Sequence, residues 1–102
     1  MLFDQAHAEI TSHNSKINYN EYINNLPLDK CYQIHLCKMG YSKSLYSENF
    51  HLAEDHHSPL ELTEITKLKQ TLNKAPLVNY LTVEYYKDID GLINSINLIK
   101  NI

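Results

Sequence analysis

Apolar positions in this chain recur with two periods, and the switching between them predicts an alternation of strands and helices. Met1 to Asp4 reads as the closing residues of a strand. Tyr19, Tyr22, Ile23 and Leu26 follow the three-and-four spacing of a short helix over Tyr19–Leu26, which Pro27 stops. From Cys31 to Lys38 the period becomes two: Tyr32, Ile34 and Leu36 alternate with Gln33, His35 and Cys37, which predicts a strand. The stretch from Met39 to His57 is polar, carries Gly40, several serines and three histidines, and reads as a long loop. Ser58-Pro59-Leu60-Glu61 has the form of a capping box with proline at the first helical position. Leu62, Ile65, Leu68 and Leu72 continue the apolar stripe behind it. After Pro76, Leu77–Tyr86 is a strand rich in Val, Leu and Tyr. Asp88 then caps a last helix with Ile89, Leu92, Ile93, Ile96 and Ile99 on one face.

Strand, helix, strand, helix, strand, helix is the order of parallel strands joined by crossover helices. Three strands cannot close a barrel, which takes eight and about 250 residues. The expectation for these 102 residues is therefore an α/β fold made of the C-terminal βα units of a TIM-type barrel, incomplete by itself, with residues 1–102 forming one unit. Such a piece exposes a strand edge and an uncovered inner face, so as an isolated chain it is expected to oligomerise, aggregate or fold only in part.

Composition changes this picture in two ways. All nine cations are lysines, and the net charge is −3. Without the arginine fork, and with no basic cluster, nucleic acid is not the expected partner. Six histidines are a surplus and point toward metal or proton chemistry. No apolar run reaches the ~18–20 residues of a membrane helix, and no secretory leader is evident, so a cytoplasmic location is the default.

Period-two geometry places the candidate chemistry. Cys31, Gln33, His35 and Cys37 share the strand face opposite the apolar one, as do Tyr80, Thr82 and Glu84 on the last strand. His35 and Glu84 thus fall near the carboxyl ends of their strands, and Asp4 ends the first strand in the same way. An Asp, a His and a Glu at successive strand ends are hard ligands for a divalent or trivalent ion. Each has a plain alternative: His35 as a hydrogen-bonded core residue, Asp4 as a helix cap. Asp4 and His7 either meet on one helical turn as ligands, or His7 is simply an exposed helix residue. Asp55 and His57 belong to a Glu-Asp-His-His cluster that is either solvated or ligating. Cys31 and Cys37 lie roughly 20 Å apart along an extended strand, too far to hold one ion together, and read as small buried hydrophobes. Tyr80 is a candidate donor on the inner face.

The segment Leu26-Pro27-Leu28-Asp29-Lys30-Cys31-Tyr32-Gln33-Ile34-His35-Leu36 resembles the stretch ending in Ile-His-Leu of the multinuclear non-haem iron-dependent oxidative enzymes. These TIM barrels include peptide-modifying enzymes of methanobactin and thiaglutamate biosynthesis. Their strand-ending Asp with Asn or His three later, the His of Ile-His-Leu, an Asp-x-His pair in the next loop and a late strand Glu fall here on Asp4, His7, His35, Asp55, His57 and Glu84. The resemblance spans nearly the whole chain but about the last 40% of a complete barrel. Where the family has Ala-Gly-His after Ile-His-Leu, this chain has Cys37-Lys38-Met39, one histidine fewer.

The resemblance implies that those six residues are metal ligands, that two or three irons are held in an intact member, and that a mixed-valent pair activates O₂. It also implies a cysteine of a ribosomal peptide as substrate, presented by a separate partner protein. The missing ligands would come from an N-terminal barrel half or another copy, and the chain alone is expected to be incomplete or inactive. Two other readings stand beside it. One is a piece of a sugar isomerase- or epimerase-like barrel using another divalent metal; the other is a non-catalytic remnant or interaction protein.

Overall fold

The computed structural model describes residues 1–47 and 49–102. Strand β1 (Leu2–Asp4) runs directly into helix α1 (Gln5–Asn14), and α2 (Tyr19–Asn24) and a 3₁₀ turn (Leu28–Lys30) lead to β2 (Gln33–Leu36). Strands β3 (Lys38–Ser47) and β4 (Phe50–Ser58) form a hairpin, followed by α3 (Leu62–Lys74), β5 (Tyr80–Val83) and α4 (Ile89–Lys100). The fold is α/β. A three-stranded sheet ordered β1-β2-β5 is parallel throughout, and β3 and β4 make a separate antiparallel pair. No closed barrel is present among the described residues. No helix among them is long and apolar enough to cross a membrane.

The parallel sheet follows the apolar period. Ile34 and Leu36 are fully buried, while Gln33 and His35 on the other face are only half-buried. Ile34, Leu36, Phe3, Leu28, Ile23, Leu60 and Leu68 make one core, with Val78, Leu81 and Val83 packed against it. Tyr32, expected on the packed face, precedes the strand and is half exposed. Its backbone still ties the sheet, donating to Met1 O and accepting from Asn79 and Tyr80. Asn18 caps α2 with its side chain, and Asp88 caps α4 by accepting from Gly91 N, as expected there.

Helix α1 carries no apolar period, because its faces do not separate by polarity: Gln5, Glu9 and Ser12 are buried with Ala6 and Ala8. Three sequence expectations are corrected. The capping box starts three residues later than expected. Glu61 is the N-cap and exchanges bonds with Glu64, so Ser58 and Pro59 lie ahead of the helix. Only part of the apolar face of α4 is covered. Leu98 and Ile99 pack on the core and Ser95 is buried, receiving a bond from Leu60 N, whereas Ile89, Ile93 and Ile96 are exposed.

The expected loop from Met39 to His57 is the β3–β4 hairpin. Its anchoring is polar, which explains why no apolar alternation announced it. Asn14 clamps Ala53 as a strand would, donating to its carbonyl at 3.1 Å and accepting from its N–H at 2.7 Å. His13 donates to His51 O at 2.8 Å and stacks on Phe50 with ring centroids 4.8 Å apart. The hairpin is thereby held across the C-terminal end of α1.

Candidate metal centre

Parallel register brings the strand ends together. Asp4 pairs with His35, and His35 with Thr82, so three chain segments reach the same end of the sheet. Glu84 follows the last residue of β5, where its N–H bonds to Leu36 O at 2.7 Å. His35 Nδ1 lies 3.1 Å from Glu84 Oε1. The ligating atoms of Asp4, His35 and Glu84 are all within 4.8 Å of one another. Each of the three side chains is about a quarter exposed: 25%, 24% and 23%. Gln33 donates to both His35 Nε2 and Thr82 Oγ1 at 3.1 Å, fixing the imidazole across two strands. Asp4 caps α1 with its Oδ1, which accepts from His7 N, while its Oδ2 faces the His7 ring at 3.5 Å.

A second group adjoins the first through His7. His7 Nε2 donates to Asp55 Oδ2 at 3.0 Å, and His57 Nε2 lies 3.2 Å from the same oxygen. Cys37 Sγ is 3.8 Å from His57 Nδ1, and the ligating atoms of Cys37, Asp55 and His57 again lie within 4.8 Å of one another. Period two along β4 sorts these residues. Asp55 and His57 share one side, while Glu54 and His56 pair with each other at 3.3 Å. The His56 ring lies over Gly40, where an added Cβ would sit 1.7 Å from its Nδ1. His57 itself has φ 47°, a left-handed backbone that a β-carbon disfavours.

Among the described residues the ion-pair partners of Asp4, Asp55 and Glu84 are all histidines. Its hydrogen bond to Asp55 raises the His7 pKa above the ordinary value; burial opposes this, and the charges of Asp4, Asp55 and Glu84 add to it. Burial works to raise Asp55, but the bond from His7 and the charges of His57 and His7 outweigh it and hold the carboxyl below its usual range. Burial first, and the carboxylates of Asp55, Asp4, Glu84 and Glu9 after it, push the Cys37 thiol up to about 12. A cation placed among these groups meets oxygen and nitrogen donors already converging, and among the described residues no ammonium is in ion-pair contact with Asp4, Asp55 or Glu84.

All six residues singled out from the sequence thus fall in one continuous array, running Glu84, His35, Asp4, His7, Asp55, His57. The structure adds Cys37. The sequence reads it as a small hydrophobe because it cannot reach Cys31, and both cysteines are buried and free. The signal that marks it is its place two residues beyond His35 on the same face. Cys31 instead directs its Sγ to Gln33 O at 3.3 Å. Of the remaining histidines, His13 and His51 anchor the hairpin and His56 packs over Gly40. Tyr80 is mostly exposed and lies at the opposite end of β5 from Glu84. A cleft of about 440 Å³ bordered by Glu9, His13, Tyr19, Tyr41 and Lys67 shares no residue with the array. No family model, curated protein or solved structure matches the chain.

Proposed function

We propose that the chain binds ferrous iron through Asp4, His35 and Glu84, with His7, Asp55 and His57 extending the same array toward a second ion, as the carboxyl-end part of an oxidative α/β barrel. The observation that carries this reading is the convergence of Asp4, His35 and Glu84 at the C-terminal ends of three parallel strands, where α/β folds hold their ligands. The donor set fits iron: carboxylates and imidazoles suit it, and three protein donors leave positions for water or substrate. Bound iron supplies redox activation of dioxygen. The protein's part is to fix the donors. Parallel pairing sets Asp4 beside His35, Gln33 orients the imidazole, and the ring Nε2–H of His7 holds the Asp55 carboxylate in place.

The strand order β1-β2-β5 follows chain order without reversal, as in a singly wound barrel, and leaves β1 and β5 as outer strands. On this reading a barrel half from another chain, or a second copy, completes the wall and supplies further ligands. The substrate is then a peptide cysteine delivered by a presenting protein, in a cytoplasmic setting. The deciding experiment is anaerobic titration of the purified chain with Fe²⁺, Mn²⁺ and Mg²⁺, with Glu84→Gln and His35→Ala as variants. Tight Fe²⁺ binding that falls at least about tenfold in both variants supports the proposal. Preference for Mn²⁺ or Mg²⁺ favours the sugar-isomerase type of site, and no binding of any ion refutes a metal centre in this chain.

A further inference from the structure

We infer that Cys37, Asp55 and His57 form a second cation position distinct in kind from the first, a cysteine-bearing site that takes a borderline divalent ion such as Zn²⁺, the thiol proton leaving to solvent as the ion binds. This rests on the reading that the array binds metal, and adds the chemistry of its second half. The first group offers one nitrogen and two oxygens, whereas the second offers one sulfur, one nitrogen and one oxygen. Sulfur changes the selectivity, because a thiolate prefers zinc, cobalt or ferrous ions over magnesium or calcium.

The sulfur–nitrogen pair suits a single ion. With Zn–S near 2.3 Å and Zn–N near 2.0–2.1 Å, tetrahedral ligands place sulfur and nitrogen roughly 3.6 Å apart. The observed Cys37 Sγ to His57 Nδ1 distance is 3.8 Å. His57 Nε2 meets Asp55 Oδ2 at 3.2 Å on the other side of the ring, so an ion held between sulfur and Nδ1 takes the Asp55 carboxylate as this contact opens, while His7 braces the same oxygen at 3.0 Å. Such outer bonds are how proteins fix the orientation of metal ligands. The position is also differentially shielded: Cys37 is 3% exposed while the His57 side chain is 47% exposed, so sulfur forms the floor and one side stays open to an incoming ion. Three donors with an open fourth position is the arrangement of zinc sites that bind a further ligand.

Cobalt reports the sulfur directly. Full-length chain, reduced and anaerobic, is titrated with Co²⁺, and the near-ultraviolet thiolate-to-cobalt charge-transfer absorption is followed beside the visible cobalt bands. Wild type and Cys31→Ser should show the charge-transfer band, Cys37→Ser should lose it, and His57→Gln should weaken cobalt affinity at that band at least about tenfold. Zn²⁺ should bleach the band at stoichiometric addition, and Mg²⁺ should not. The carboxylate–imidazole cobalt spectrum should survive in Cys37→Ser and disappear in Glu84→Gln. Cobalt binding without a charge-transfer band in wild type overturns this inference and leaves the first site standing. A band lost in Cys31→Ser but kept in Cys37→Ser also overturns it. Absence of any cobalt binding overturns both. If the Cys37→Ser chain fails to fold, the wild-type and Cys31→Ser spectra decide together: a band present in both leaves Cys37 as its source, and a band lost in Cys31→Ser overturns the inference.

Discussion

Replacing Glu9 by glutamine should make this protein more stable at neutral pH, although it removes an ion pair. Glu9 is 1% exposed on α1, its Oε2 has no hydrogen-bond partner, and the nearest ammonium, Lys67, is 3.9 Å from Oε1. Burial is the main cause that lifts its pKa from 4.5 to about 7; Lys67 pulls it down and Glu64 pushes it further up. The folded chain therefore holds a proton that the unfolded chain has lost, throughout the window from about 4.5 to about 7. Stability is fully present below pH 4.5, declines as pH rises, and above about 7 the whole penalty of the buried charge is felt. At about 1.4 kcal/mol per pH unit, that penalty is roughly 3 kcal/mol, a large part of the 5–15 kcal/mol typical of a domain. Glutamine has nearly the same shape and carries no charge. Its amide also brings donors to a place where Gln5 Oε1, one helical turn back, is likewise unpartnered.

Urea unfolding of wild type and Glu9→Gln at pH 4, 6 and 8 measures this, because comparing the two chains cancels the titration of every other group. The variant should gain up to about 3 kcal/mol at pH 8, about half of that near pH 6, and close to nothing at pH 4, with unchanged m-values. A variant less stable than wild type at pH 8, or a difference that does not change with pH, would refute the assignment of Glu9 as a buried, reluctantly ionised acid.

The remaining expectations concern packing. Leu68 is fully buried at the centre of the α3 face, so Leu68→Ala should cost about 2–5 kcal/mol in a urea melt; a loss below 1 kcal/mol would mean the core does not close over α3. Gly40→Ala must displace the His56 ring, the nearest obstacle to the new methyl group, and break its contact with Glu54. Because that ring is partly exposed, the cost should stay within about 1 kcal/mol. The His56 imidazole resonances should shift in NMR while those of His13 and His51 stay in place, and an unmoved His56 would contradict the observed packing.

The pattern of residues by itself determined much of the parallel sheet. Alternation over Ile34 and Leu36 and over Leu81 and Val83 carries its own orientation, because period two fixes which side chains share a face and which of them a helix must cover. The same argument placed His35 and Glu84 on the opposite face, and strand-ending Asp4 in line with them. What the pattern left open was everything held by polar contacts between distant segments. Helix α1 buries Gln5, Glu9 and Ser12, which no hydrophobic period marks. The hairpin is anchored by Asn14 to Ala53 and by His13 to His51, bonds whose partners lie 39 and 38 residues apart. Docking this hairpin is what carries Asp55 and His57 to His7 and closes them around Cys37, and only the folded chain makes those residues neighbours. A hydrogen bond needs position more than composition, so local sequence announces an apolar face, while the meeting of two polar side chains is settled by tertiary structure.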